Sequence, residues 1–203
     1  MSRLYSYVVV RDYGFAPNPF SAYCTLATCK PKIRAKADRG DWVVGVGAAS
    51  KGRSGVLIYA MRVSEALSFD DYWLDPRFKS KRAVLNGSIK RAYGDNIYHR
   101  EAGVWIQENS HHSLADGSIN RENLKRDVGA DRILVAEEFY YFGKNGVVVP
   151  NDVRKQGRHD ICRPGRGHIV NLPKTLSDGF IQWLTAGHSP GVNGEPSDWK
   201  GAI

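Results

Sequence analysis

Residues 41–47, Asp41-Trp42-Val43-Val44-Gly45-Val46-Gly47, and residues 55–63, Gly55-Val56-Leu57-Ile58-Tyr59-Ala60-Met61-Arg62-Val63, decide the fold class. Both are dense in β-branched and aromatic side chains, and the intervening Ser50-Lys51-Gly52-Arg53-Ser54 is turn-forming, so the pair predicts an antiparallel hairpin with a flexible tip. Upstream, residues 5–12 alternate and then run into Val8-Val9-Val10 before Gly14, Pro17 and Pro19 stop a first strand. Pro31 suits the first turn of a short helix over 32–37, which Gly40 ends. Downstream, Ser68 can cap a helix over 69–74 whose first turn carries Asp70 and Asp71 and which Pro76 stops. Further strands are predicted at 104–108, 132–136, 139–142 and 147–149, with an irregular, histidine-bearing connection over 109–120. Near the end, Ser177 and Asp178 precede Phe180, Ile181, Trp183 and Leu184, spaced as one buried helical face that Gly187 closes. Residues 188–203 are rich in Gly, Pro and Ser and predict an irregular tail. The expected architecture is a single α+β domain: a mixed, mainly antiparallel β-barrel with short peripheral helices.

Composition narrows the class. The chain of 203 residues is 42% hydrophobic and 25% charged, which is globular and not disordered. No apolar run is long enough to span a bilayer and no signal-peptide pattern opens the chain, so a cytoplasmic, non-membrane protein is expected. Three cysteines make no disulfide framework and are expected as reduced thiols. A formal charge of +8 favours polyanionic partners. The charge is concentrated: windows 30–39, 77–91 and 154–166 hold five, six and five cations against only Asp38 and Asp160. Clustering of this kind is what a phosphate footprint requires, although three solvated loops on separate faces satisfy the same pattern.

Several segments carry potential chemistry. Residues 14–20, Gly14-Phe15-Ala16-Pro17-Asn18-Pro19-Phe20, combine rings, prolines and an amide, as a rigid wall with one base-edge reader or as a structural turn. Next, Thr25 and Thr28 with Lys30, Lys32 and Arg34 offer hydroxyls and cations to phosphate oxygens. In residues 94–99, Asp95 and Asn96 can read a base edge while Tyr98 stacks, or the same residues form a turn entering a strand. Cys24 and Cys29 with His159 and Cys162 have zinc-type donors at poor spacing, so no metal is assigned. His111 and His112, beside Ser110 and near Asp116, invite a general-base reading but lie in a polar loop without a nucleophile motif. Neither a P-loop nor a dinucleotide-binding glycine pattern is present, and no cofactor is implied.

The stretches 17–45 (PNPFSAYCTLATCKPKIRAKADRGDWVVG), 57–67 (LIYAMRVSEAL), 70–78 (DDYWLDPRF, with Lys79 and Lys81 following) and 94–99 (GDNIYH) resemble the nucleotide-modification-associated domain of the second type, a bacterial and phage family. The resemblance runs over about residues 5–150 and leaves the last 50 without a motif. It implies a role in DNA base hypermodification or its recognition and assigns no catalytic residue; a further reading is an interaction module of a modification or defence complex. A second, weaker likeness is to PUA-like barrels, particularly the EVE-type modified-base readers: Gly40-Asp41 opens a strand and the hydrophobic segment 55–63 follows. Together these imply a PUA-like barrel holding a nucleotide or flipped base near Phe15, Asn18, Phe20, Trp42, Asp95, Asn96 and Tyr98, with Thr25, Thr28, Lys30, Lys32 and Arg34 on phosphate. The rival expectation is an enzyme acting on a base, with Asp12, Asp41, Asp95 or His99 as acid–base groups and Cys24 or Cys29 as nucleophile.

Overall fold

A computed structural model describes residues 2–165 and 167–199. The hairpin forms where its residues predict it. Strand β1 (Leu4–Val9) is followed by β2 (Cys24–Leu26), helix α1 (Pro31–Arg34), β3 (Trp42–Gly47) and β4 (Val56–Arg62). β3 and β4 pair antiparallel, and β1 lies parallel to β3 after a crossover through β2 and α1. Asp41 sets that parallel register: its carboxylate accepts the Arg3 amide at 2.7 Å and Arg3 Nε at 3.0 Å, tying the starts of the two strands together.

Next come β5 (Glu65–Leu67), α2 (Phe69–Leu74), α3 (Ile89–Ala92), the hairpin β6 (Tyr98–Glu101) and β7 (Val104–Gln107), then α4 (Arg121–Asp127), β8 (Ile133–Ala136) and β9 (Glu138–Tyr141). Ser68 caps α2 as expected, its hydroxyl accepting the Asp71 amide at 3.0 Å. The β6–β7 turn is Ala102-Gly103, with φ of 48° and 80°, the left-handed pair a two-residue hairpin requires. The remaining helices are α5 (Asn151–Arg154) and the 14-residue α6 (Lys174–Gly187), which starts after Pro173, earlier than Ser177.

The strands form a seven-stranded principal sheet, a smaller three-stranded one and two separate two-stranded pairs, β6–β7 and Lys155–Gln156 with His159–Asp160. In the principal sheet, His168–Ile169, β1, β3, β4, β9 and Gly191–Val192 lie in that order, with Val147–Val148 also on β4. The smaller sheet is β2-β8-β5. Most pairings are antiparallel, in agreement with the α+β expectation, but the outermost strands of the principal sheet do not pair with one another. No closed barrel exists among the described residues.

Alternation sorts the core. On one face of the principal sheet, Leu4, Trp42, Val44, Val46, Leu57 and Tyr140 pack with Leu176, Phe180 and Leu184 of α6. On the other, Tyr5, Tyr7, Val43, Tyr59, Met61 and Tyr141 meet Cys24, Leu26, Leu134 and Ala136 of the smaller sheet. That sheet turns Ile133 and Val135 outward to a third cluster with Phe15, Phe69, Tyr72, Phe78 and Tyr98. Covering both faces explains why β3 reads as an unbroken buried run.

Two features depart from the sequence expectation. The tail is not irregular throughout, since Gly191–Val192 adds a parallel strand to β9, and beyond it Trp199 Nε1 donates to the Tyr13 carbonyl at 2.9 Å. Helix α4 lies just past the expected irregular connection; its residues are almost all polar, and its one local signal is Asn120, whose side chain accepts the Asn123 amide at 3.0 Å.

Gly45 is demanded by packing. A Cβ there would lie 2.2 Å from the Tyr59 ring and 2.7 Å from Val9, in a part of the core where Tyr59 and Tyr7 join hydroxyls at 2.7 Å. Gly45→Ala is therefore expected to destabilise the protein by about 1–3 kcal/mol, read as a lower urea midpoint, whereas Ser50→Ala on the exposed tip leaves it unchanged.

Candidate active site and basic cleft

The structure disperses the residues expected to line one base pocket. Six of the seven, Phe15, Asn18, Trp42, Asp95, Asn96 and Tyr98, are buried. Trp42 stacks on Tyr140 on the α6 side of the principal sheet, remote from the others. Phe20 is half-buried, stacked on Trp199 with the Lys90 ammonium over its ring. Asn18 and Asp95 join Thr25, Tyr72 and Lys81 in one interior network. Asp95 accepts the Thr25 hydroxyl at 2.6 Å and the Tyr72 hydroxyl at 2.8 Å, and Lys81 Nζ donates to Asn18 Oδ1 at 2.8 Å. Burial pushes the Asp95 carboxyl up and the Lys81 ammonium down. Asn96 donates to the Tyr72 and Phe78 carbonyls. Apart from Asn96 Oδ1, which is buried without a hydrogen-bond partner, these polar groups are occupied in holding the third core cluster to the smaller sheet.

The expected phosphate set divides in the same way. Thr25 and Thr28 are buried. Arg34 is wholly buried and directs its N–H groups to the carbonyls of Cys29, Asp127, Ala130 and Arg132, which makes it a clamp on the backbone. Lys32 is exposed, and Lys30 is half-buried with its ammonium 4.3 Å from the centre of the Tyr7 ring.

Of the residues named for the enzymatic alternative, most are structurally engaged. Asp41 holds the β1–β3 register; Asp12 accepts the Tyr141 hydroxyl at 2.5 Å and the Ser197 amide at 3.1 Å; His99 stacks on Trp73 at 4.0 Å. Cys24 has no exposure, and burial pushes its thiol up to about 12. Cys24 and Cys162 belong to cores on opposite faces of the principal sheet, and no cluster of three metal-ligating side chains occurs among the described residues. Asp116 binds Ser118 on the exposed loop and does not reach the histidines' partners.

Cys29 is different. It is half-buried, in the turn between β2 and α1, with φ of 58°, and Lys30 follows at 41°. Two successive non-glycine residues in the left-handed region are held there by surrounding structure. Asp127, the last residue of α4 and fully buried, supplies the hold: Oδ1 accepts the Cys29 amide at 2.9 Å, while Oδ2 accepts the Tyr98 hydroxyl at 3.0 Å and pairs with His112 Nδ1 at 2.7 Å. His112 is fixed from its other sides. Its carbonyl accepts Gln107 Nε2 at 3.0 Å and Asn123 Nδ2 at 2.9 Å, and Phe15 presents its ring edge-on at 4.5 Å. Burial disfavours the imidazolium, but the hydrogen bond to Asp127 and then the Cys29 thiol outweigh it and raise the His112 pKa to about 9. Burial likewise opposes the Asp127 carboxylate, and His112, the Cys29 amide and Arg126 hold it below the usual range. One carboxylate thus ties the Cys29 backbone to the His112 imidazole. His111, next in the chain, packs against Tyr13, Phe15 and Tyr93; burial, then the charge of His112, lower its pKa to about 4.

Lys30, next in the chain to Cys29, lines a cleft of about 460 Å³ together with Val8, Val10, Ala48, Ala49, Ser50, Pro164, Gly165 and Gly167. A second recess of about 190 Å³ shares Val10 and Ala48 and reaches Asp12, Lys51 and Arg53. His168 lies close enough to Lys32, Lys36 and Lys30 that, after burial, their charges lower its pKa, and Arg163 and His168 line a neighbouring recess. Lys30, Lys32 and Lys36 of the first basic window and Arg163 of the third therefore lie on one side of β1. The second does not join them as a free patch: Arg77 is held by Asp75 and Glu65, Lys81 is interior and Arg82 stacks over Trp73.

The His112 pKa has a consequence for stability. The folded state binds this proton more tightly than the unfolded chain, whose histidine titrates near 6.5. Stability from the pair is complete below about pH 6.5 and is lost as pH rises toward 9, on the order of 1 kcal/mol per pH unit. Urea denaturation between pH 6.5 and 8, before deprotonation of Lys81 contributes in the opposite direction, is expected to show this decline in the wild type and a flatter profile in His112→Gln.

No curated protein and no solved structure matches the chain. A family model described as nucleotide modification associated domain 2 matches residues 1–202, extending past the motifs of residues 5–150 through the principal sheet, α6 and the returning tail. The chain belongs to the nucleotide modification associated domain 2 family.

Proposed function

We propose that this protein binds a nucleotide, free or within DNA, in the cleft beside β1 as part of base modification. The observation that carries the reading is a cavity of about 460 Å³ lined by Lys30, with Arg163 and His168 on the neighbouring recess and Lys32 and Lys36 close to His168, in a chain of the nucleotide modification family. Cations on one rim position phosphate, whereas the apolar floor of Val8, Val10 and Ala48 accepts the flat faces of sugar and base. The site lies apart from the buried Asn18 and Asp95 network, so recognition of the base falls to the floor and backbone of the cleft.

Fluorescence anisotropy with single-stranded DNA, duplex DNA and a competing deoxynucleotide, at several salt concentrations, tests the reading. Affinity is expected to fall with salt, and the double substitution Lys30→Ala and Lys32→Ala to weaken binding about tenfold while reducing the salt slope by about 1–2. Binding that ignores both salt and the double substitution would contradict it.

A further inference from the structure

We propose that Cys29 is a catalytic nucleophile, that His112 is its proton acceptor and donor, that Asp127 positions the imidazole, and that the reaction class is acyl transfer or hydrolysis. The proposal places a reaction at the edge of the cleft just described, but it stands on separate observations. Of the three free thiols, Cys24 and Cys162 are buried in apolar cores, and Cys29 alone is partly exposed. One carboxylate holds both partners, its two oxygens meeting the Cys29 amide and the His112 ring. The left-handed backbone at Cys29 and Lys30 is a conformation retained against a local penalty, as at positions where a side chain must be presented in a particular direction. The ionisable groups whose charges reach the thiol are Tyr7, Lys30, Arg34, Tyr98 and His112, with Asp127 behind the imidazole. Lys30, Arg34 and His112 thus place positive charge around the thiol.

The chemistry follows from those groups. The Cys29 thiolate attacks an acyl carbon, forming a C–S bond as the carbonyl π pair moves onto oxygen, with Lys30 as the cation that lines the cleft. Collapse of that adduct expels the amine or alcohol, which takes a proton from the His112 imidazolium and leaves a thioester on Cys29. Water or an amine acceptor then attacks the thioester, gives its proton to His112 and releases the thiolate, restoring the starting ion pair. The imidazolium is a suitable acid because the leaving group needs a proton, and no oxidant or reductant enters.

Thiol reactivity in the absence of nucleotide tests the proposal independently of cleft binding. Full-length protein is treated with iodoacetamide between pH 5.5 and 9, and the adduct is located by mass spectrometry. An ordinary thiol, with a pKa near 8.5, slows by roughly 100-fold from pH 8 to pH 6. Cys29 is expected to be the first residue labelled and to show a shallower fall than this, with His112→Gln and Asp127→Asn restoring the steep profile and Cys29→Ser abolishing the adduct. Incubation with p-nitrophenyl acetate is expected to release one equivalent of nitrophenolate in a burst and leave an acetyl group on Cys29. An ordinary thiol profile in the wild type would overturn the nucleophile, a judgement that needs no variant to fold. Absence of both burst and acetyl adduct would overturn the acyl class.

Discussion

The Asp127 carboxylate is wholly removed from water, and the local structure around it depends on satisfying it. An isolated buried carboxylate costs several kcal/mol, so it persists only where charge and hydrogen-bond donors converge. Here the donors come from far apart in the chain: the amide of Cys29, the hydroxyl of Tyr98 on β6 and the imidazole of His112. Arg34 reinforces the same joint through backbone carbonyls, including that of Asp127. One anion thereby ties the turn after β2, the β6–β7 hairpin, the histidine loop and the end of α4 into a unit. Removing it would leave an imidazolium and a left-handed turn without support.

A second polar network performs a neighbouring task. Asp95, Lys81, Thr25, Tyr72 and Asn18 lie between the smaller sheet and its covering helices, satisfying each other where water does not reach. Such networks specify one packing arrangement because each partner has few alternatives. They draw on the same residue types as a ligand pocket, which is why the segments 14–20 and 94–99 read in sequence as base-contacting. Polar character is visible in a sequence, whereas its direction, inward or toward a ligand, is set by tertiary contacts.

Much of the framework was legible. The β3–β4 hairpin declares itself by its β-branched residues and turn, and Ser68 with Asp70 and Asp71 marks α2. Helix α4 was not legible, because in Arg121–Asp127 only Leu124 is apolar and no periodic face exists. That omission hid the site's orienting group. Cys29 and His112 were both visible as reactive types, but the nearby acidic residue, Asp116, belongs to an exposed turn, and the working carboxylate lies 98 residues from Cys29. Charge clustering was legible as a pattern and only partly as a surface: lysines of window 30–39 lie beside β1 with Arg163 alone from window 154–166, whereas three cations of window 77–91 are spent on ion pairs, burial and stacking.

The central claim is that the buried Asp127 carboxylate holds the His112 imidazolium beside Cys29 as one unit. NMR titration of the His112 ring reports on it directly. The account predicts a pKa near 9 that falls toward the ordinary histidine value in Asp127→Asn and falls by a smaller amount in Cys29→Ala. A wild-type ring titrating near 6.5, or one indifferent to loss of the Cys29 thiol, would contradict it.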